Sequence, residues 1–447
     1  MREDANNGIL MRSLFAGWPP ERLAQVYFQA LVPHLPNVDI CGEYRAITLM
    51  GSVHRVCCRA AADSQEGDAE ATATVIPGYR QRIADRIRRS GPAIGWARSL
   101  YHTWSARRRF AEILARELQD LRPEIVYGLA GNYPVTRVIA SACQLLDVPY
   151  FLHVADDFVT ALYEDQPLSG WVSRRSQRWF ASAVEGADGL AAIGPAMAEE
   201  YSRRYARSWN WFTTLIDSAA YDPAPRQPDG TIHFVYTGNL QLERWRSLAA
   251  LALALNQLRE AHGFDSRLSV YAPPHEIDRH RDALVVSPIT SLLGWVPPSE
   301  LPAVLAAADV LVHVESFAPA ITRLTRLSLS TKIGAYMMSG RCIVAFGPDC
   351  LGSMKALHAA GSAVLVNDRA PSVVRARLRG VLEAPEERHE LGARGRAWAM
   401  SHVEQESGRA RFRRELVAAL ERHRYGRSAG SRRLVSTRPH PPGQEGS

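Results

Sequence analysis

Lysine is rare in this chain, and one of its two lysines lies where a buried strand pattern connects to a helix pattern. The strand pattern DVLVHVES contains Glu315 near its end, and the helix pattern begins at Ser330, Thr331 and Lys332. We interpret Ser330 and Thr331 as the N-cap and first-turn residues, so that free N–H groups and the positive helix end face this connection. Such a place favours an anion. The alternative is an ordinary capped helix with a solvated lysine.

A glycine-bearing loop forms a second candidate site for an anion. The apolar run IHFVYTG ends at Gly238 and Asn239, and glycine there would let a phosphate approach the backbone closely. Arg244 and Arg246 follow in the next helix pattern, and a guanidinium group can hold a phosphate with two N–H bonds. Together with Lys332 they could stabilise negative charge that develops during a reaction. Solvated arginines are the alternative interpretation.

The candidates for proton chemistry follow another apolar run. His153, Asp156 and Asp157 end the pattern YFLHVADD. Strand alternation predicts His153 and Asp157 on one face and Asp156 on the other. An aspartate or histidine here could act as a general base for an acceptor hydroxyl, or could only bind and orient it.

Strand and helix patterns alternate over most of the chain, which predicts an α/β fold with parallel, doubly wound sheets. The length suits two domains, and the segment 223–230, with three prolines and a glycine, is interpreted as the linker between them. Ligands of such sheets bind outside the carboxyl ends of the strands, where all the candidates above are expected.

The second domain resembles the nucleotide-sugar-binding half of family 4-like glycosyltransferases of the GT-B architecture. The matching pieces lie between residues 232 and 400: IHFVYTGNL, LLGWVPPSELPAVLAAADVLVHVES, STKIGAYMMSGRCIVAFGP and EERHELGARGRAWAMSH. Such enzymes often carry two glutamates flanking seven residues, whereas here Ala335 replaces the second, which leaves Glu315 without that partner. The chain is more similar to the branch in which a serine-rich loop ends in Ser-Thr-Lys.

The resemblance implies two Rossmann-like domains that face a cleft. We expect an acceptor-binding domain at 1–222, a donor-binding domain at 231–401, a helix at 402–424 that returns to the first domain, and an unfolded tail at 425–447. The segment around Gly8 and Arg12 resembles the first loop and helix of the acceptor domain, yet no apolar strand precedes it. Either the start codon is assigned too late, which we favour, or the sheet lacks its central strand.

The resemblance also implies a function. We expect a transferase that moves a sugar from a nucleotide diphosphate sugar to a glycan or lipid-linked glycan, with retention, during assembly of a surface polysaccharide. The loop with Trp295 resembles the one whose backbone reads the nucleotide base, although a core tryptophan in a strand-end turn is the alternative. Glu315 could accept hydrogen bonds from sugar or ribose hydroxyls, because a buried carboxylate without a partner is costly and should face a crevice. No cofactor and no metal requirement are expected.

Two other functions stay open at this point. The first is a nucleotide-sugar epimerase of the same architecture, which would use the nucleotide sugar alone. The second is a basic binding protein without activity, or a decayed transferase that lacks its first strand. Turnover of a nucleotide sugar would indicate an enzyme, whereas a binding protein or a decayed transferase would show none.

Composition and charge limit the classes of binding partner. The formal charge of +7 and the pI of about 9.2 suit an acidic partner. An arginine bias that follows from the base composition of the genome also explains both values. The arginine- and aromatic-rich segment 79–110 could contact anionic lipid headgroups, or could form helices that pack on their own domain. No nucleic-acid-binding motif accompanies the charge. Six cysteines without CxxC spacing, and no apolar run of spanning length, predict a cytoplasmic protein with peripheral contact at the inner face of the plasma membrane.

Overall fold

Three sheets organise the computed structural model, which describes residues 6–29, 40–48, 53–56, 108–161, 169–221 and 230–436. Several predicted features lie outside these residues: the linker except Gly230, the segment 79–107 and the residues before Asn6. None of the described helices is both long and apolar enough to cross a bilayer.

The first domain contains two of the sheets. Strands β4 (Val126–Ala130), β5 (Tyr150–Val154), β6 (Gly189–Ala192) and β7 (Asn210–Trp211) form a parallel sheet in that order. Strands β1 (Ala24–Gln29), β2 (Glu43–Thr48) and β3 (Val53–Val56) form the other, in which β3 is antiparallel. The described helices of this domain are α1 (Asn6–Phe15), α2 (Arg108–Leu121), α3 (Tyr133–Leu146), α4 (Phe158–Ala161), α5 (Ser169–Glu185) and α6 (Pro195–Tyr205).

Local chemistry explains where α3 begins. The Asn132 side chain accepts a hydrogen bond from the Val135 N–H at 3.0 Å, and Pro134 occupies the first turn, where its missing N–H costs nothing. The helix follows β4 and packs on the sheet through its buried face. Every residue of the neighbouring strand β5 is buried, as expected for a parallel strand covered on both faces.

The two sheets of the first domain share one hydrophobic core, to which α1 contributes Leu10 and Leu14. Among the described residues, β1 pairs only with β2 and β4 only with β5. Arg22, just before β1, and Glu124, just before β4, form a salt bridge of 3.0 Å between Nη2 and Oε1. Residues 1–5 lie outside the described chain, so the expectation of a missing first strand stays a prediction.

The second domain contains one parallel sheet of six strands. These are β8 (Ile232–Thr237), β9 (Ser266–Tyr271), β10 (Thr290–Leu293), β11 (Val310–Val314), β12 (Cys342–Phe346) and β13 (Ala363–Val366). Their order in the sheet is β10-β9-β8-β11-β12-β13. The chain therefore moves outward in one direction from β8 and in the other from β11. The switch point lies between these two strands, which is where doubly wound sheets bind ligands.

The helices of the second domain follow its strands. They are α7 (Arg244–His262), α8 (Pro274–Leu284), α9 (Leu301–Ala306), α10 (Pro319–Thr325), α11 (Lys332–Met338), α12 (Gly352–Ala359), α13 (Pro371–Glu383) and α14 (Pro385–His402). Helix α11 packs against α14, and α7 against α13.

The last helix, α15 (Gln405–Ser436), returns to the first domain. Phe412 is fully buried in the core of that domain, and Arg422 donates from Nε to the Asp188 carbonyl at 2.6 Å. The unfolded tail was expected from residue 425, but the helix continues through Ser436. No proline lies between residue 425 and Pro439, so the sequence there contains no residue that must end the helix.

Candidate functional site

The loop after β8 lies at the switch point of the second sheet. Gly238 is exposed there and has a φ of 138°, a conformation that side chains rarely adopt. A Cβ on Gly238 would lie 3.2 Å from Lys332 Nζ. The absent side chain therefore leaves room for Lys332 beside the loop.

Lys332 reaches the loop from the start of α11. Its Nζ donates to the Thr237 carbonyl at 3.3 Å and lies 4.0 Å from the centroid of the Tyr236 ring. The side chain is enclosed by protein on most sides but keeps partial access to solvent. Burial and, to a smaller extent, the charge of Arg244 lower the pKa of Lys332, and Glu315 opposes them, so that the pKa is about 7. The ammonium group thus loses its proton close to neutral pH in the ligand-free protein.

The predicted capping of α11 is wrong. The N-cap residue is Thr331, it has helical φ and ψ angles, and its side chain makes no capping hydrogen bond. Ser330 instead donates its backbone N–H to the Ser353 Oγ at 3.0 Å, so a tertiary contact fixes the start of the helix. Ser330 and Thr331 still adjoin Lys332, and both are half-buried.

Arg244 forms an ion pair across the switch point. Its Nε and Nη2 donate to Glu315 Oε2 at 3.2 and 3.1 Å, and its Nη1 donates to Asn239 Oδ1 at 3.0 Å. The two charged side chains are 14% and 4% exposed. Glu315 was expected to lack a partner and to face a crevice, but the structure gives it Arg244. The pair connects the end of β11 to the start of α7.

His313 supports the other side of Glu315. His313 is on β11 and Glu315 directly follows this strand two residues later, and His313 Nε2 lies 3.3 Å from Glu315 Oε1. Burial raises the pKa of Glu315, but His313, Arg244 and Lys332 together outweigh it and hold the pKa at about 2. Burial lowers the pKa of His313. Our sequence reasoning missed His313, although the alternation in VLVHVES contains the signal.

Tyr336 is a second residue that the sequence reasoning missed. Its hydroxyl accepts the Thr237 N–H at 2.9 Å, which attaches the end of β8 to α11. The spacing of four residues from Lys332 places both side chains on one helix face and could have identified it. The Tyr236 hydroxyl donates to the Asn239 carbonyl at 2.5 Å and so fixes the loop from the other side.

Two predicted donor-site residues lie outside this cluster. The Arg246 side chain is 62% exposed, lies over the Trp245 ring at 4.6 Å and pairs with Glu243 at 3.6 Å. It cannot act together with Arg244, because residues two apart on a helix point in nearly opposite directions. Trp295 is 59% exposed in the loop after β10, so the alternative of a core tryptophan is wrong.

His153 and Asp157 are both buried in the first domain, but β5 ends at Val154, so the strand alternation predicted for them does not extend to Asp157. His153 is fully buried, its Nδ1 lies 2.6 Å from the Tyr127 hydroxyl, and burial lowers its pKa to about 4. Asp157 is buried and accepts a hydrogen bond from the Tyr201 hydroxyl at 2.8 Å. We therefore withdraw the prediction of a general base for both residues, since neither can reach an acceptor.

The other candidates of the first domain have different environments. Asp156 is exposed at the carboxyl end of β5, where the surrounding protein raises the pKa of its carboxyl group by desolvation. Gly8 is buried and Arg12 half-buried on α1. Asp156 is the one member of the predicted acid and base set that keeps access to solvent.

The two domains touch beside the cluster. A Cβ on Gly194, the N-cap residue of α6, would lie 2.9 Å from the Leu329 Cβ in the loop that precedes α11. Arg326 in the same loop lies 3.8 Å from Glu200 on α6, measured from Nη2 to Oε1. The loop that leads to Lys332 therefore borders the first domain.

Comparison with protein-family models gives no match, and comparison with curated protein sequences gives none. Solved structures are similar in fold. A glycosyltransferase from Rickettsia africae ESF-5 is 9% identical, with a TM-score of 0.53 over 70% of this chain and 80% of that one. HepE from Anabaena, in complex with UDP and glucose, is 16% identical, with a TM-score of 0.51 over 68% and 81%.

Sucrose-phosphate synthase from Thermosynechococcus elongatus is also similar, with 16% identity and a TM-score of 0.50 over 70% of this chain and 78% of that one. At such identities the similarity establishes the fold alone. The chain has the GT-B fold, which confirms the predicted α/β class with two Rossmann-like domains.

Proposed function

We propose that the protein is a glycosyltransferase that uses a nucleotide diphosphate sugar as donor. One observation carries the proposal: Lys332 and Arg244 converge beside the Gly238 loop at the switch point of the second sheet. A departing diphosphate needs cations and backbone N–H groups that are already in place, because such preorganised groups stabilise developing charge most effectively. The GT-B fold of the solved transferases supports this assignment.

The chemistry at the donor follows from the two cations. A diphosphate beside Lys332 would favour its protonated form, so donor binding takes up a proton when the pH is near the pKa of about 7. Arg244 is held by Glu315 and Asn239, which orients its guanidinium group before the donor arrives. Three further residues adjoin the two cations and are proposed to contact phosphate or sugar oxygens, namely Asn239, Ser330 and Thr331. Trp295 is proposed to lie beside the base.

The proposal also covers the acceptor and the stereochemistry of the transfer. We assign the protein to sugar transfer onto a glycan or lipid-linked glycan in surface polysaccharide assembly, with retention. In a retaining reaction a donor phosphate oxygen can take the acceptor proton, which agrees with the burial of His153 and Asp157. Asp156 would then orient the acceptor hydroxyl, and the half-buried Arg12 on α1 is proposed to lie on the acceptor side, whereas Gly8 is buried and would only shape the helix there. HepE was solved with UDP and glucose, so uridine nucleotides are the first donors to test.

We also propose that no metal is required, because Lys332 and Arg244 can supply the positive charge that a metal ion gives elsewhere. Transfer should therefore continue at an unchanged rate in EDTA. Loss of turnover in EDTA, restored by Mg²⁺ or Mn²⁺, would contradict this part and leave the fold assignment intact.

Turnover tests the function directly. The full chain is incubated with UDP-, GDP-, ADP- and TDP-sugars and a set of glycan acceptors, and release of the nucleoside diphosphate is measured. We expect release with one nucleotide and a loss of at least about a hundredfold in Arg244→Gln, because a charge-stabilising donor is removed. Arg246→Gln removes the same charge from an exposed side chain and should stay within about twofold.

Other outcomes identify the alternatives. Conversion of one nucleotide sugar into another without acceptor would indicate an epimerase. Nucleotide binding without any turnover would indicate a decayed transferase, and absence of both would refute the proposed function.

A further inference from the structure

The loop that leads to Lys332 is anchored in the first domain. We call residues 326–331, between α10 and α11, the connecting loop. Leu327 in this loop is 3% exposed and belongs to the hydrophobic core of the first domain. Of the described residues between 230 and 402, it alone is part of that core. One side chain of the second domain therefore fixes the connecting loop to the first.

Two further contacts with the first domain lie on either side of Lys332 in the sequence. A Cβ on Gly194, the N-cap residue of α6, would lie 2.9 Å from the Cβ of Leu329, three residues before Lys332. A Cβ on Gly334, in the first turn of α11, would lie 3.3 Å from Cγ1 of Ile216, in the segment after β7. Lys332 therefore begins its helix between two places where the domains approach closely.

Helix α12 contacts the connecting loop from the second domain. The Gly352 N–H donates to the Arg326 carbonyl at 2.8 Å, and the Ser353 Oγ accepts the Ser330 N–H at 3.0 Å. A Cβ on Gly352 would lie 2.8 Å from the Ser328 carbonyl oxygen, so the helix and the loop are in direct contact. Helix α12 also packs on α6 of the first domain. The position of the connecting loop thus depends on both domains.

The environment of the Lys332 amine should report the position of the connecting loop. The titratable groups around the amine belong to the second domain, namely Tyr236, Arg244, His313, Glu315 and Tyr336. Burial is nevertheless the largest cause of the lowered pKa of Lys332, which is about 7. A displaced loop would admit water beside the amine, and the pKa would then rise towards its ordinary value of 10.5.

We propose that Leu327 and Gly194 are positioning residues for Lys332. The first domain holds the connecting loop through these two residues, and the loop holds the first turn of α11. The cation of the candidate donor site is then in place only while the two domains are in contact. This inference rests on the proposed function, because it concerns the cation of the same site.

Chemical labelling of the two lysines tests the proposal without any ligand. Limited acetylation of the full chain, followed by peptide mass spectrometry, compares Lys332 with Lys355, which is exposed on α12. Labelling rates are measured from about pH 6 to about pH 10, and the pH of half-maximal rate is the midpoint. We expect a midpoint of about 7 for Lys332 in the parent. The midpoint should rise by at least about one pH unit in Leu327→Ala and in Gly194→Ala.

Each variant has a matched control. Gly194 has a φ of −163°, an extended conformation that alanine also adopts, so Gly194→Ala changes the contact with Leu329 rather than the local backbone. Gly131→Ala adds the same methyl group before α3 of the same domain, where a Cβ would meet nothing within 4 Å. Leu324→Ala truncates a leucine that is 45% exposed on α10. Both controls should keep the midpoint of the parent.

A further variant separates positioning from loss of stability. Leu327→Ala leaves a cavity in the core of the first domain, so thermal unfolding must show that it is folded at the labelling temperature. Leu327→Met fills most of the same volume and should restore the midpoint of the parent. If Leu327→Ala does not fold, the pair Gly194→Ala and Gly131→Ala decides the test.

An unchanged midpoint in the folded variants would overturn the proposal, because the second domain alone would then position Lys332. Equal midpoints for Lys332 and Lys355 in the parent would also overturn it. Titration of UDP, GDP, ADP and TDP into the parent separates this result from the proposed function. A shifted midpoint in the variants without nucleotide binding to the parent would support the positioning and contradict the donor site. Nucleotide binding without a shift would do the reverse.

Discussion

Lys332 is the residue through which pH should control donor binding. Its pKa of about 7 in the ligand-free protein, lowered by burial and by Arg244, means that the ammonium form is complete only below neutral pH. A diphosphate binds that form, so affinity for UDP should be full below pH 7. It should fall as the pH rises above 7, by up to about tenfold per pH unit. Calorimetric titrations between about pH 6 and pH 9 measure this fall.

Lys332→Arg is the control for this prediction. A guanidinium group stays protonated throughout the range, so the variant should bind UDP with little dependence on pH above 7. The same fall in both proteins would show that another group titrates.

At the scale of single residues, the sequence indicated which side chains could do chemistry better than it indicated how those side chains are arranged. The places of Lys332, Gly238 and Arg244 followed from their positions after strand patterns, since the carboxyl ends of parallel strands meet at one edge. The burial of His153 and the exposure of Arg246 away from the cluster could not be predicted from those positions. The Tyr127 contact that keeps His153 in the core joins residues on two different strands, and no local pattern encodes it.

At the scale of elements, the ion pair between Arg244 and Glu315 joins α7 to β11, and its contribution should depend on pH. Burial raises the pKa of Glu315, but its charged neighbours lower it to about 2, from 4.5 in the unfolded chain. A depressed pKa stabilises the fold above about pH 4.5 by about 3 kcal/mol, and this is lost as the pH falls from 4.5 towards 2.

Chemical denaturation at pH 6 and at about pH 3 measures the difference. Glu315→Gln should be less stable than the parent at pH 6, by about 3 kcal/mol or more, because Arg244 loses its partner. The variant should also lose less stability than the parent on acidification. Glu383→Gln removes an exposed carboxylate paired with Arg379 and should behave as the parent. Parallel pH dependence in the parent and in Glu315→Gln would contradict the assignment.

The elements themselves were largely predictable. Some inner strands of the second sheet are continuous apolar runs, such as CIVAF at 342–346, because a parallel strand inside the sheet is buried on both faces. The start of α11 was not predictable, since the Ser330 N–H is satisfied by Ser353, a residue 23 positions away. Short local patterns determine the strands, whereas contacts distant in sequence determine the caps and the inward-facing polar side chains.

At the scale of the whole molecule, α15 connects the second domain back to the core of the first. The Phe412 ring contacts Phe15, Tyr127 and Phe212 with centroid distances of 5.2, 5.5 and 5.2 Å. Phe412→Ala should therefore destabilise the protein by about 3–5 kcal/mol, the cost of truncating a buried aromatic side chain. Thermal and chemical unfolding measure this loss.

Val417→Ala is the control on the same helix, because Val417 is 52% exposed. Its effect should stay within about 0.5 kcal/mol. A similar small effect for Phe412→Ala would show that α15 does not hold the first domain.

The central claim is that the switch point of the second sheet binds a nucleoside diphosphate through Arg244 and Lys332. The most direct test is calorimetric titration of UDP, GDP, ADP and TDP into the parent, Arg244→Gln and the matched variant Arg246→Gln. We predict binding of one nucleotide to the parent, weakened at least about tenfold in Arg244→Gln and within about twofold in Arg246→Gln. No binding to the parent, or an equal loss in both variants, would contradict the claim.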